Sequence, residues 1–265
     1  MRPGCAWGMA RPSGCTKPGA DMENTALVAL SRQIALRREM AVISNNVANI
    51  NTQGFKRGAT LFEEYLGDTA DAKPFEGYDR DLSYVWDRAT LRDMDQGAMQ
   101  VTGNELDFAV DGEGYFVVET PRGERFTRDG AFSRSEEGFL VTTSGYPVLG
   151  QGGRIEVPEE GQFTIEADGT ISVDQVEQGR LRLVSFDAMH KLDHEEGNLL
   201  ASQEPGLEDL ASRVRQGTIE RSNVIGVVEM TRMIDVQRAY QSLANVQQNQ
   251  DDMRRKAIET LGRLA

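Results

Sequence analysis

Apolar positions near the amino terminus recur at the spacing of one helix face. Leu36, Met40, Ile43, Val47 and Ile50 step by 4, 3, 4 and 3 residues, while Leu27, Leu30 and Ile34 open a neighbouring stripe. Arg32, Arg37, Arg38 and Glu39 fall off both stripes. The pattern predicts a helix from an N-cap at Asn24 or Thr25 to about Asn49, ~39 Å long. Asn51 and Thr52 are turn formers, and Gly54 supplies the left-handed stop after the helix. A second helical pattern runs from about Asn223 to Leu264, roughly 60 Å if continuous. Its stripe is Met233, Val236, Tyr240, Leu243, Val246, Met253, Ala257, Leu261 and Leu264, with a polar gap from Gln247 to Asp252.

Between these ends the period changes to that of strands. Leu106–Val110, Tyr115–Glu119, Phe139–Val141, Phe163–Ile165, Thr170–Val173 and Leu181–Phe186 are short β-rich runs separated by glycines. That spacing predicts an antiparallel all-β domain over 96–187. Residues 58–95 and 188–218 are weakly patterned and predict extended connectors. The expected fold is therefore α+β and multi-domain. Paired N- and C-terminal helices (22–57 plus 219–265) form a discontinuous, coiled-coil-like domain flanking the central β domain. A plain intramolecular hairpin of the two helices is the alternative. The stripes are too sparse to bury so long a helix against one partner, which favours additional packing between subunits.

Composition narrows the classes. The chain has 265 residues and 39% hydrophobic content, and no apolar run approaches the ~18 residues that span a bilayer, so no stable membrane insertion is expected. A net charge of −13 argues against a nucleic-acid partner, which requires a basic footprint. Residues 1–21 lack periodicity, are broken by Pro3, Pro12 and Pro18, and hold both cysteines, Cys5 and Cys15. They contain no apolar h-region of a secretory signal, and Ser-Gly-Cys15 lacks the apolar stretch of a lipoprotein site. A disordered extension or an upstream start is expected, with the working chain beginning at Met22. From there on, no disulfide or thiol chemistry is available.

No reaction centre emerges. His190 and His194 have i, i+4 spacing, but a strand precedes them and Gly197 follows, so a solvated loop is expected rather than a metal pair. Gly112-Glu-Gly114 and Gly150-Gln-Gly-Gly153 lack the Lys-Ser/Thr of a phosphate loop. Asp111-Gly-Glu-Gly114 lacks the ligands of a calcium loop, and no Gly-x-Ser-x-Gly elbow occurs. No enzyme activity, cofactor, metal or small-molecule substrate is expected.

Three blocks carry a resemblance that spans nearly all of Met22 to Ala265. They are Ser44-Asn-Asn-Val-Ala-Asn-Ile-Asn-Thr-Gln-Gly-Phe-Lys56; Gly97-Ala-Met-Gln-Val-Thr-Gly-Asn-Glu-Leu-Asp-Phe-Ala-Val-Asp-Gly-Glu-Gly-Tyr-Phe116 with Phe126–Phe132 and Gly138–Thr142; and Gly217–Val224 with Glu229–Ile234 and Gln237–Tyr240. Together they resemble the flagellar rod and hook family of axial proteins. Within it, the chain length is similar to the two rod subunits that carry a single β domain. The start Met22-Glu-Asn-Thr-Ala-Leu resembles one of these, and the Leu-Trp stretch usual in the other is absent.

The resemblance implies a structural subunit of the basal-body rod in the periplasmic space. It would be exported by the flagellar type III machinery without a cleaved signal peptide, and would assemble with other rod proteins and copies of itself. It also implies that Leu36, Met40, Ile43, Asn45, Asn46, Val47, Asn49, Asn51, Thr52, Gly54 and Phe55 meet neighbouring subunits. So would Ser222, Asn223, Val224, Met230, Ile234, Arg238, Tyr240 and Leu243. The terminal segments would be disordered in the free monomer and gain structure on docking. The competing class is a secreted enzyme or adhesin with a β-rich ligand domain, which predicts folded termini and a saturable small ligand.

Overall fold

The computed structural model describes residues 18–67, 82–159, 161, 163–186, 192–195, 197–202 and 204–264. Two helices lie at the ends of the chain, α1 (Pro18–Ala48) and α2 (Gly226–Leu264), and every described strand lies between them. The chain divides into two compact units. The larger comprises 37–61 and 88–238 and holds the whole β body; the smaller comprises residues up to 36, 62–87 and 239–265.

The β body is antiparallel throughout its named pairings. Its six-stranded sheet has the order Asp193–Glu195, Leu199–Ala201, Gly123–Thr127, Tyr115–Thr120, Leu183–Ser185, Leu207–Glu208. A three-stranded sheet (Phe163–Ile165, Thr170–Val173, Val176–Arg180) and several two-stranded ladders complete it. The strand Tyr115–Thr120 shows why the core sits here. Side chains alternate across a strand, so Phe116 and Val118 enter one apolar cluster while Tyr115 and Val117 enter a second. The larger cluster joins Phe108, Phe116, Phe132, Leu140, Val148 and Phe163. Phe116 and Phe132 meet edge to face at 5.2 Å, the arrangement that aromatic quadrupoles favour.

Several boundaries differ from the expected ones. Helix α1 starts at Pro18, earlier than Asn24, because proline's fixed φ suits the first helical position. Residues 1–17 lie outside the described residues. Within the segment 58–95, expected as an extended connector, Gly58–Gly67 and Leu82–Arg92 pair as a two-stranded sheet. Likewise, 188–218 contributes Asp193–Glu195, Leu199–Ala201, Leu207–Glu208 and Arg213–Gln216 to the β body. These strands are two to four residues long, too short for alternation to register. His190 lies outside the described residues, and His194 sits in a strand.

Helix α2 opens at Gly226 rather than Asn223. A Cβ at Gly226 would fall on Ile50 Cδ1, so a glycine is needed where the helix starts.

Candidate functional site

Four stretches of the larger unit converge: the end of α1 with the Asn49–Gly58 turn, residues 93–97, the strand Thr218–Glu220, and the first turns of α2. Gly54 begins the convergence. It has φ 64°, and the Arg128 carbonyl carbon occupies the place of a Cβ, so both backbone angle and space require glycine. Its N–H donates to the Glu220 carbonyl at 2.8 Å, which ties the turn to the strand.

Asn46 is 1% exposed and is fully used within the chain. Its Oδ1 accepts from the Gly58 N–H at 2.9 Å, and its Nδ2 donates to the Gly58 carbonyl at 2.9 Å and to Glu229 Oε2 at 3.0 Å. Asn223 acts similarly from the other end of the chain. Its Oδ1 accepts from the Arg57 N–H at 2.7 Å, and its Nδ2 donates to the Asp93 carbonyl at 2.9 Å. A carboxamide can donate and accept at once, which explains why asparagine is used at both positions. These bonds replace a strand ladder where the backbone turns too sharply to form one.

Two consecutive cations then meet two buried carboxylates. Lys56 Nζ lies 2.6 Å from Glu220 Oε1 and Arg128 lies 3.3 Å from Oε2, with all three side chains at 5% exposure or less. Gly97 N–H donates to Oε1 at 2.8 Å, and Lys56 also donates to the Asp95 carbonyl at 2.9 Å. Burial lowers the Lys56 pKa, and the attraction of Glu220 opposes that shift. The Arg128 guanidinium also stacks 4.7 Å from the Tyr115 ring centroid. Next along, Arg57 faces Glu229 Oε1 at 3.6 Å and Asp93 at 3.2 Å. Glu229 Oε1 accepts no hydrogen bond. At the helix surface, Arg232 pairs with Glu39 at 3.3 Å.

The residues expected at a subunit interface separate by burial. Ile43, Asn46, Gly54, Phe55 and Val224 are buried within the chain. Leu36, Met40, Val47, Asn49, Thr52, Ser222, Asn223, Tyr240 and Leu243 are half-buried. Asn45, Asn51, Met230, Ile234 and Arg238 are exposed. The convergence brings Asn46, Gly54, Phe55 and Asn223 together; Tyr240 and Leu243 lie in the other unit.

Lys56, Arg128, Glu220 and Glu229 were not among the expected site residues. For Glu229 a signal exists in the sequence: it lies four residues before Met233 and seven before Val236, on the apolar stripe itself. A charge on an apolar stripe marks a buried partner. Nothing in the local pattern singles out Arg128.

Most polar groups of the arrangement satisfy one another; Arg128 Nε and Glu229 Oε1 are buried without a hydrogen-bond partner. The enclosed space beside Lys56, Tyr115 and Arg128 is about 10 Å³, room for roughly one water. Among the described residues there is no cluster of acidic, His or Cys side chains able to hold a metal, and no helix is long and apolar enough to cross a membrane.

Comparison with known proteins gives this geometry a class. Residues 27–56 match the "flagella basal body rod protein" family. Residues 109–173 match the D1 domain of the flagellar hook protein FlgE/F/G group, and 215–260 match the C-terminal region of the flagellar basal body rod FlgEFG proteins. The chain belongs to the flagellar basal-body rod protein family.

Within that family it is 38% identical to the flagellar basal-body rod protein FlgF of Caulobacter vibrioides over 252 residues, spanning 92% of this chain and 100% of that one. The FlgF of Rhizobium meliloti is 35% identical over 91% of this chain and 99% of its own length. The FlgG of Bacillus subtilis is 31% identical, over 83% of this chain and 92% of that one. FlgF is thus favoured over FlgG, in agreement with the reading of the start at Met22.

Proposed function

We propose that this chain is a non-enzymatic structural subunit of the flagellar basal-body rod, of the FlgF type. It would polymerise through its terminal helices, paired as a discontinuous coiled-coil-like domain, and transmit torque toward the hook. In this reading the type III apparatus exports the subunit, which is added in the periplasmic space beside other rod proteins and copies of itself. The observation that carries it is the apolar surface left on α2, where Met230, Ile234, Val246, Met253, Ile258 and Leu261 are each at least 48% exposed. A helix of 39 residues with such a surface is marginal alone in water and gains stability by packing. Burial of each large side chain would contribute ~1.5–3 kcal/mol. The candidate interface residues that are exposed in the chain, Asn45, Asn51, Met230, Ile234 and Arg238, are the ones this reading assigns to neighbours.

Deletion of residues 222–265 from the chromosomal copy is expected to abolish swimming in soft agar and to yield no basal bodies with a complete rod. A motile deletion strain would overturn the assignment. A saturable small ligand found for the purified chain would instead favour a secreted binding protein.

A further inference from the structure

Glu220 faces two cations from two different parts of the chain. Lys56 comes from the turn after α1, Arg128 from the end of the strand Gly123–Thr127, and Glu220 from the strand Thr218–Glu220, where its backbone carbonyl also holds Gly54. Around this carboxylate, the remaining bonds join the same stretches. Arg221 N–H donates to the Ala98 carbonyl at 2.9 Å, Asn223 N–H to the Phe55 carbonyl at 3.3 Å, and Arg57 N–H to Asn223 Oδ1. The large apolar cluster of the β body uses none of these residues. It is built from side chains between 106 and 214. The β body therefore has its own driving force, whereas the turn after α1 adds the buried Phe55 ring to a set of polar bonds that end at Glu220 and its neighbours.

We infer that Glu220 is a charge gate. It makes the ordering of the Asn51–Gly58 turn conditional on arrival of the strand Thr218–Glu220. Before that strand is in place, bringing Lys56 to its site would set it against buried Arg128 with only the weaker pull of Asp93 to offset it, and such poorly compensated burial is disfavoured. The stability of the amino-terminal turn thus depends on the carboxyl-terminal strand.

Hydrogen exchange of the full-length chain at neutral pH tests it, comparing wild type with Glu220→Gln, which keeps the shape and removes the charge. Amides of Gly54, Arg57, Gly58 and Gly97 are expected to exchange about 100-fold faster, while those of Tyr115–Thr120 and Gly123–Thr127 stay within about threefold. The double variant Lys56→Met/Glu220→Gln is expected to regain at least about tenfold of the lost protection, because the cation nearest the gate is gone. Three results would overturn the gate: unchanged protection at Gly54 and Gly58, equal loss across the β body, or no recovery in the double variant, which would show that the unpaired Lys56 charge is not what loosens the turn.

Discussion

The β body and the terminal helix α2 use apolar residues in opposite ways. In the β body, Phe108, Phe116, Val118, Leu140 and Val148 are 0% exposed and share one apolar cluster, and Val117, also at 0%, enters a second. In α2, Val236 is 6% exposed, yet Val227, Ile258 and Leu261 are at 77%, 71% and 68%. Charge divides the same way. The excess of acid that gives the chain its −13 lies in residues 96–218, while the segments on either side are nearly balanced. A self-sufficient, acidic body stays soluble and repels its copies; a nearly neutral helix with uncovered apolar side chains does not. The fold of one region buries its apolar side chains within the chain, whereas the other leaves many of its own uncovered.

The largest test is to damage the complete region. Phe116→Ala removes a ring that meets Phe132 edge to face and leaves a cavity in a packed cluster. It should destabilise the β body by about 3–5 kcal/mol, measured as a shift in the urea midpoint by circular dichroism. A loss under 1 kcal/mol would mean that the β body is loosely packed, and the contrast with α2 would collapse.

The boundary between the regions is probed by Asn46→Ala. The change leaves Gly58 N–H without its acceptor and strips Glu229 Oε2 of a donor in a site that is 1% exposed. A cost of about 1–3 kcal/mol is expected. Limited proteolysis should show cleavage near residues 46–58 while the fragment holding 106–214 persists. In the wild type, the resistant fragment should reach from about 88 to 238, beyond the 96–187 that strand patterning marks out. A wild-type chain clipped within 46–58 as readily as the variant would place this junction with the incomplete region.

How much of this was legible beforehand depends on how long-range the cause is. The two helices and the runs around Phe108, Tyr115 and Thr170 were readable because period 3.6 and period 2 are local signals. The sheet Gly58–Gly67 with Leu82–Arg92 was not, since pairing partners across 15 or more residues leave no mark in composition. The asparagines of Asn45-Asn46 were legible as important but not in their separate roles. Adjacent residues on a helix point about 100° apart, so Asn46 is buried against Gly58 and Asn45 is exposed. Arg128 was invisible because its partner Glu220 lies 92 residues away.

A smaller effect comes from Asp129, whose carboxyl burial pushes to a higher pKa than usual, with backbone and Thr143 bonds only partly opposing. The folded chain then holds this proton to a higher pH than the unfolded chain does. Stability is therefore lost as pH rises from the usual aspartate range through the raised value. Asp129→Asn should remove that slope and stabilise the chain at neutral pH, with no gain below the carboxylate range. Thermal melts across the acid range check it; a variant less stable at neutral pH would show that ionised Asp129 helps the body instead.

The smallest effect on folding is the sharpest test of the comparison. Ile258→Ala with Leu261→Ala removes as many apolar carbons as the Phe116 change, but from side chains at 71% and 68% exposure. Alanine favours helix, and surface changes of this kind stay within about 0.5 kcal/mol each. The urea midpoint of the isolated chain should therefore hardly move. If α2 is completed by neighbours, the same variant should nevertheless swim poorly, because the contacts it lacks form only in the assembly. Full motility would mean that these side chains remain in water throughout. Ile258 and Leu261 would then be incidental, and assembly through α2 would have to rest on its other exposed apolar side chains, such as Met230, Ile234, Val246 and Met253.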